Sequence, residues 1–396
     1  MEKLRVGYLS NSYAYQRNIL DVVETAEYKK VLDFYKIFSA LANKAPSQIR
    51  ARKSIRDWQF KFNDLNLNNV DILHFFNTIS FGKTPWISTF ETLIPRMSDT
   101  LSIHWGAEPD FSNLVGNKSI EYALQVLAKP ACRKLIAMSE CNLRMQKELL
   151  EYFPKYKNLI APKLCVMHPP QELIVNGKKN KLIDSNETIK FMFVGRAFFR
   201  KGGMEILQAF KTIYELNQPN LELIIVSNLE IDNYATQETG KDVEIARKII
   251  YENSQWIRYY PNLPNQDVLS LMQEAHVGLL PTWADTYGYS VLEFQASGCP
   301  VISTDIRALP EINNPDIGWL IHIPQNRLCE AIYTTSEGRN AIKEAIQRQL
   351  EIILGEILEN RAILAEKSRK SINQIKANHS PLEYTRKMKL LYEEAI

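Results

Sequence analysis

A chain of 396 residues with 48 Lys and Arg against 45 Asp and Glu carries a net charge of only +3, which gives no electrostatic argument for nucleic acid. Hydrophobic content of 45% and charged content of 23% are those of a globular protein with room for two domains. Five scattered cysteines without a C-x-x-C pair argue against a disulfide framework or structural zinc and fit reduced thiols in the cytosol. No apolar run approaches the roughly 18 residues of a membrane span, and the short strand-like start after Met1 does not read as a signal peptide.

In chain order, strand and helix signals alternate. Residues 4–10 read as a first strand. Residues 27–44 read as a helix with Val31, Phe34, Tyr35, Phe38 and Leu41 on one face. Residues 48–62 combine basic residues with Trp58, Phe60 and Phe62. That composition suits a segment resting on an anionic inner leaflet, but its apolar spacing fits a solvated face with aromatics packed beneath better. Strands are expected at 70–76, 100–103, 134–138 and 163–167, with helices at 119–129 and 140–152. Residues 171–187 are polar, poorly periodic and read as a linker.

A second alternating series has strands at 189–194, 221–226, 257–260, 277–280 and 300–303, then long helices over 339–377 and an amphipathic segment at 382–394. Alternation of this kind implies parallel sheets covered on both faces, with ligands at the carboxyl ends of strands. The expected fold is α/β, two doubly wound Rossmann-like domains facing a cleft. The first spans 1–172, the second 173–380, and a helix at 381–396 packs back on the first.

Two motifs fall in the second series. In Gly195-Arg196-Ala-Phe-Phe-Arg200-Lys201-Gly202-Gly203, a strand runs into a glycine, an Arg and then a Lys beside a glycine pair that opens a helix. Arg offers a planar fork for phosphate oxygens, Lys a mobile charge, and glycines admit close backbone approach. The plain alternative is a solvated basic loop. The other motif runs from Pro281 through Asp285, Gly288, Tyr289 and Ser290 to Glu293, with seven residues between the two carboxylates. A strand-loop-helix corner there aims backbone N–H groups and a helix dipole at a phosphate, while the carboxylates accept from sugar hydroxyls. The alternative is a capping box, Ser290-x-x-Glu293, with Asp285 as a turn residue.

With both motifs in one sheet, the chain resembles the retaining GT-B glycosyltransferases of family 4, glycosyl transferases group 1. The resemblance rests on Gly195-Arg196 to Lys201-Gly202, on Asp285 to Glu293 in place of E-x7-E, on Tyr260–Pro264, and on Gly298–Ile302 and Leu309–Ile312. It is specific over 188–324 and loose in the amino-terminal half. It implies that Arg196 and Lys201 hold the donor diphosphate with the backbone of Gly195, Gly288, Tyr289 and Ser290. Glu293 would bind the ribose, Asp285 the transferred sugar, and His104 would face that sugar from a strand end. His74 has a family-like position, with packing the better reading.

Departures are Asp285 for Glu, Asn11–Arg17 in place of a glycine-rich loop, and Ser227–Glu230 in place of a glycine-containing one. No Asp-x-Asp occurs, so no metal or other cofactor is expected. The implied activity is a cytoplasmic, metal-independent, retaining transfer from a nucleotide sugar to a glycan or lipid-linked acceptor in cell-envelope or exopolysaccharide synthesis, with peripheral contact to the inner membrane as one option. A nucleotide-sugar 2-epimerase and a catalytically silent nucleotide-sugar-binding relative remain alternatives.

Overall fold

The computed structural model describes residues 3–9, 14, 17, 19–44, 56–175, 187–232 and 234–396. Two compact units are formed, one of Met1–Trp105, Pro109–Pro170 and His379–Ile396, the other of Gly106–Glu108 and Gln171–Asn378. Most of the expected linker (176–186), residues 48–55 of the basic-aromatic segment and most of Asn11–Arg17 lie outside the described residues.

The strands of unit 1 are β1 (Leu4–Tyr8), β2 (Ala26–Lys30), β3 (Lys61–Phe62), β4 (Ile72–Phe76), β5 (Ile79–Ser80), β6 (Trp86–Phe90), β7 (Cys132–Ala137) and β8 (Leu164–Val166). Six make a parallel sheet in the order β2-β1-β4-β6-β7-β8, and β3 pairs with β5 separately. Every residue of β4 and β6 is buried, as expected for parallel strands covered on both faces. The helix Pro381–Ala395 supplies part of that cover: Tyr384, Met388, Tyr392 and Ala395 cluster with Val6, Ile72, Ile87 and Ile136. His74 lies inside this packing, its Nδ1 2.8 Å from the Tyr392 hydroxyl and its Nε2 3.0 Å from Thr89 Oγ1. Burial lowers its pKa to about 3, so the ring is neutral and structural.

Three stretches depart from the sequence reading. Residues 26–30 form β2, paired in parallel with β1, and the helix starts only at Phe34, where Asp33 Oδ1 accepts the Tyr35 N–H at 3.1 Å. Residues 98–101 form one helical turn, and the strand of that region is β6 instead. The reason is local competition: Thr100 Oγ1 accepts from Met97 N (2.8 Å) and donates to Pro95 O (2.7 Å), while Ser98 N and Oγ donate to Asp57. A third change is that the residues expected on one face divide: Val31 precedes the helix and is buried, while Phe38 and Leu41 are exposed. Trp58 and Phe62 do pack inward, Trp58 against Tyr35 and Phe62 against Phe75.

Unit 2 contains β9 (Ile189–Val194), β10 (Leu221–Val226), β11 (Ile257–Tyr260), β12 (Val277–Leu280), β13 (Val301–Thr304) and β14 (Trp319–Ile321). They form a parallel sheet in the order β11-β10-β9-β12-β13-β14. This is the 3-2-1-4-5-6 order of a dinucleotide-type doubly wound fold, with its topological switch point between β9 and β12. The long-helical region resolves into Ser336–Glu359 and Ala362–Asn378. Gly106–Glu108 joins this unit through Tyr333 N to Gly106 O (3.2 Å) and Asn326 Nδ2 to Ala107 O (2.7 Å).

The carboxyl-terminal helix is thus part of the core of unit 1. Tyr392→Ala is expected to cost about 3–5 kcal/mol, from the cavity and the lost His74 partner. Calorimetry should show a lowered transition for one unit, and an unchanged trace would count against this packing.

Candidate active site

The two sequence motifs sit on adjacent strands. β9 pairs with β12 in the register Val277↔Phe191, Gly278↔Met192, Leu279↔Phe193. The loop leaving β9 carries Gly195 to Gly203, and the loop leaving β12 carries Pro281 to Gly288. Both therefore open at the carboxyl edge of the sheet, on either side of the switch point where doubly wound folds hold ligands.

Glycine makes the approach of the two loops possible. Gly202 has φ +83, and a Cβ there would stand 2.1 Å from Pro281 O. At Gly195 a Cβ would fall 2.5 Å from Lys201 Cδ, so the lysine stem lies across bare backbone. The Lys201 ammonium thereby comes to 3.8 Å from Asp285 Oδ2. Arg196, one residue beyond Gly195, is exposed.

Arg200, to which the sequence reading gave no role, fastens the loops together. Its guanidinium pairs with Asp232 through Nε, donates from Nη1 to Ala284 O at 2.6 Å, and stacks over Tyr234. Its own carbonyl accepts from Trp283 N (2.8 Å) and Thr282 Oγ1 (3.1 Å). The arginine between two aromatics and Lys201 was visible, but its partners are distant in sequence.

The helix Tyr289–Ala296 begins at Gly288, which has φ +87 and gives no side-chain cap. Ser290 is therefore the second helical residue, and the capping-box alternative is not how this helix starts. The first-turn N–H groups of Tyr289 and Ser290 have no acceptor within an α-helix. Asp285 Oδ1 instead accepts from Gly288 N (3.0 Å) and Tyr287 N (3.3 Å). The Gly288 N–H, expected to face the ligand, is engaged by that carboxylate. Glu293 lies one turn into the same helix, half-buried. His104 is in unit 1; it follows the one-turn helix Ser98–Leu101, not a strand, and is buried with its N–H donated to Leu101 O.

Behind the β9 loop lies a group that sequence did not flag. Glu205, in the first turn of the helix Gly203–Asn217, is buried beside a cavity of about 100 Å³ also lined by Glu238, Asp242 and Lys343. Burial raises its carboxyl pKa to about 7, with Lys343 and the Trp283 indole opposing and Glu238 adding to the rise. A carboxyl raised in the folded state keeps a proton that the unfolded chain loses. Stability is then full below the ordinary value near 4.5 and falls as pH rises towards 7. Glu205→Gln should remove this loss. The variant's Tm advantage over wild type is expected to grow from pH 4.5 to pH 8, and a pH-independent gap would show that Glu205 is not the titrating group.

Comparison with known proteins covers both halves differently. The family described as glycosyl transferases group 1 matches residues 174–349. The capsular polysaccharide biosynthesis glycosyltransferase CapM of Staphylococcus aureus is 25% identical over 151 residues, 36% of this chain and 35% of that protein. The chain thus matches about a third of the length of the curated relatives it resembles. Among solved structures, a Rickettsia africae glycosyltransferase superposes with a TM-score of 0.60 at 14% identity, covering 100% of this chain and 99% of that one. Anabaena HepE in complex with UDP gives a TM-score of 0.58 at 11% identity, covering 99% and 100%. Likeness at such identity shows the fold, and the fold is GT-B. Within this GT-B fold, residues 174–349 match the family of glycosyl transferases group 1.

Proposed function

We propose that the chain transfers a sugar, with retention and without a metal ion, from a nucleoside-diphosphate sugar to a saccharide or lipid-linked acceptor in cell-envelope or exopolysaccharide synthesis on the cytoplasmic side. The observation that carries this reading is the pair of loops on β9 and β12 at the switch point, with Lys201 3.8 Å from Asp285. A diphosphate needs compensating charge and N–H donors. Arg196, Lys201 and the amino-terminal turn at Tyr289 and Ser290 offer both on one edge of the sheet. The relatives add support, since one is named for capsular polysaccharide synthesis and one neighbour is in complex with UDP.

In this reading Gly195 clears the path by which Lys201 reaches the phosphates. Glu293 accepts from the ribose hydroxyls. Asp285, with Oδ1 committed to its own loop, keeps Oδ2 for a hydroxyl of the transferred sugar, beside the lysine that neutralises it. His104 keeps its sugar-facing role only as the resemblance implies it. The bond from C1 to the phosphate oxygen breaks as an oxocarbenium-like centre forms. The acceptor oxygen then bonds to C1 on the same face, and its proton passes to the departing phosphate. Arg196 and Lys201 offset the charge that develops on that phosphate.

The test is a thermal-shift panel of UDP, GDP, ADP and CDP with their sugar conjugates in the presence of EDTA. One nucleotide is expected to stabilise the protein, by about 2.7 kcal/mol at a hundredfold excess over its dissociation constant. Glu293→Ala should lose most of that shift. Stabilisation by none of the nucleotides would remove the donor reading. For the stereochemistry, an inverted anomeric product by NMR would end the retaining mechanism while leaving the donor pocket intact.

A further inference from the structure

The helix Phe34–Lys44 is turned the opposite way to most surface helices. Its half-buried side is Tyr35, Ser39 and Ala42, with Tyr35 packed on Trp58 and Phe81. Its apolar residues Ile37, Phe38 and Leu41, at helical spacing, face outward, at 40%, 52% and 60% exposed, while Phe34 at its start is half-buried. More exposed leucines are clipped to the start of this helix. Phe34 N donates to Asn63 O (2.9 Å), and Asn68 exchanges two hydrogen bonds with the backbone of Leu32. Leu32, Leu65 and Leu67 are all exposed, and Leu65 and Asn66 hold left-handed backbone, φ +53 and +60, at the tip of that turn.

Charge is sorted across the same surface. Lys30, Lys36, Arg56 and Lys83 are exposed, and Lys83 N is tied to Asn66 Oδ1 of the turn at 2.7 Å. Between Tyr28 and Val70 the carboxylates are Asp33, Asp57 and Asp64. All three are buried and bonded inward, Asp33 to Tyr35 N and Asn63 N, Asp57 to Ser98, and Asp64 to Asn66 N and Asn68 Nδ2. Among the described residues of this stretch, Leu32, Ile37, Leu41, Leu65 and Leu67 and the cations Lys30, Lys36 and Arg56 are exposed, and the three carboxylates are buried.

We propose that this edge of unit 1, the stripe Ile37–Phe38–Leu41 with the Leu65–Leu67 turn and the lysines beside them, docks on an anionic phospholipid surface. The chemistry matches on both counts. Apolar tips enter the acyl boundary while ammonium groups meet headgroup phosphates, as for an interfacial helix. The aromatics at 58–62 are not the inserting groups, because Trp58 and Phe62 are used inside. This surface is independent of the donor reading, since none of its residues belongs to the loops on β9 and β12.

The test is flotation of the full chain with vesicles of phosphatidylcholine alone and of phosphatidylcholine with phosphatidylglycerol. Wild type is expected to float with the anionic vesicles only and to be released by salt. Phe38→Ser with Leu41→Ser, and separately Lys30→Glu with Lys36→Glu, should each weaken binding by about tenfold or more, leaving the thermal shift with nucleotide unchanged. Three results would overturn the proposal: equal flotation with both vesicle types, no flotation with either (which would leave an acidic protein as the occupant), or a wild-type dimer by light scattering that the serine variant converts to monomer. If nucleotide shifts vanish in wild type while flotation persists, the donor reading fails and this one stands.

Discussion

The site depends on two neighbouring strands delivering their loops within contact of each other. β9 and β12 are hydrogen-bonded partners, so the chain must leave both at the same edge within one strand spacing. At that distance there is no room for a side chain between the loops, and Gly202 against the carbonyl of Pro281 is where the limit is felt. The closeness has a chemical consequence. It places Lys201, whose stem crosses Gly195, against the carboxylate of the β12 loop. Arg200 then turns contact into a fixed geometry, because one side chain and its own carbonyl hold Asp232, Ala284, Thr282 and Trp283 together.

That support extends beneath the loop. Glu205 follows Gly203 by two residues, and its carboxyl is buried against Trp283 and Lys343. A buried carboxyl raised to about 7 stays largely protonated in mildly acid conditions and so adds little charge behind the β9 loop there. A permanently ionised acid at this place would oppose the positive field that Arg196 and Lys201 create.

Unit 2 was the legible half. Its strands are continuous apolar runs such as Val277–Leu280, and glycines mark the turns of the loops after β9 and β12, so pattern and topology agree there. Unit 1 was read less well for identifiable reasons. β6, Trp86–Phe90, carries Ser88 and Thr89 at its centre, and Thr89 is buried as a partner of His74, a fact no local pattern encodes. β2 was swallowed by a helical period because Glu27, Lys29 and Lys30 are good helix formers, whereas pairing with β1 decided the outcome. Residues 100–103 alternate Leu101 and Ile103 with polar residues like a strand, but Thr100 spends its hydroxyl on the local backbone. The outward stripe of Phe34–Lys44 was visible as a stripe, yet sequence periodicity gives a face without saying which way it points.

The shorter first acid of the motif has a structural meaning. Asp at this position can bond its own backbone two and three residues on, and Asp285 does so to Tyr287 and Gly288. With one more methylene, a Glu carboxylate would reach past those N–H groups and into the space in front of the loop. Asp285 therefore stiffens the turn that starts the helix at Tyr289, and only Oδ2, on the side of Lys201, remains directed outward. Of the first-turn N–H groups that the resemblance points to, that of Gly288 is taken by Asp285. The corner has thus exchanged one backbone donor and some carboxylate reach for rigidity, and in the proposed donor reading the sugar approaches Asp285 from the lysine side.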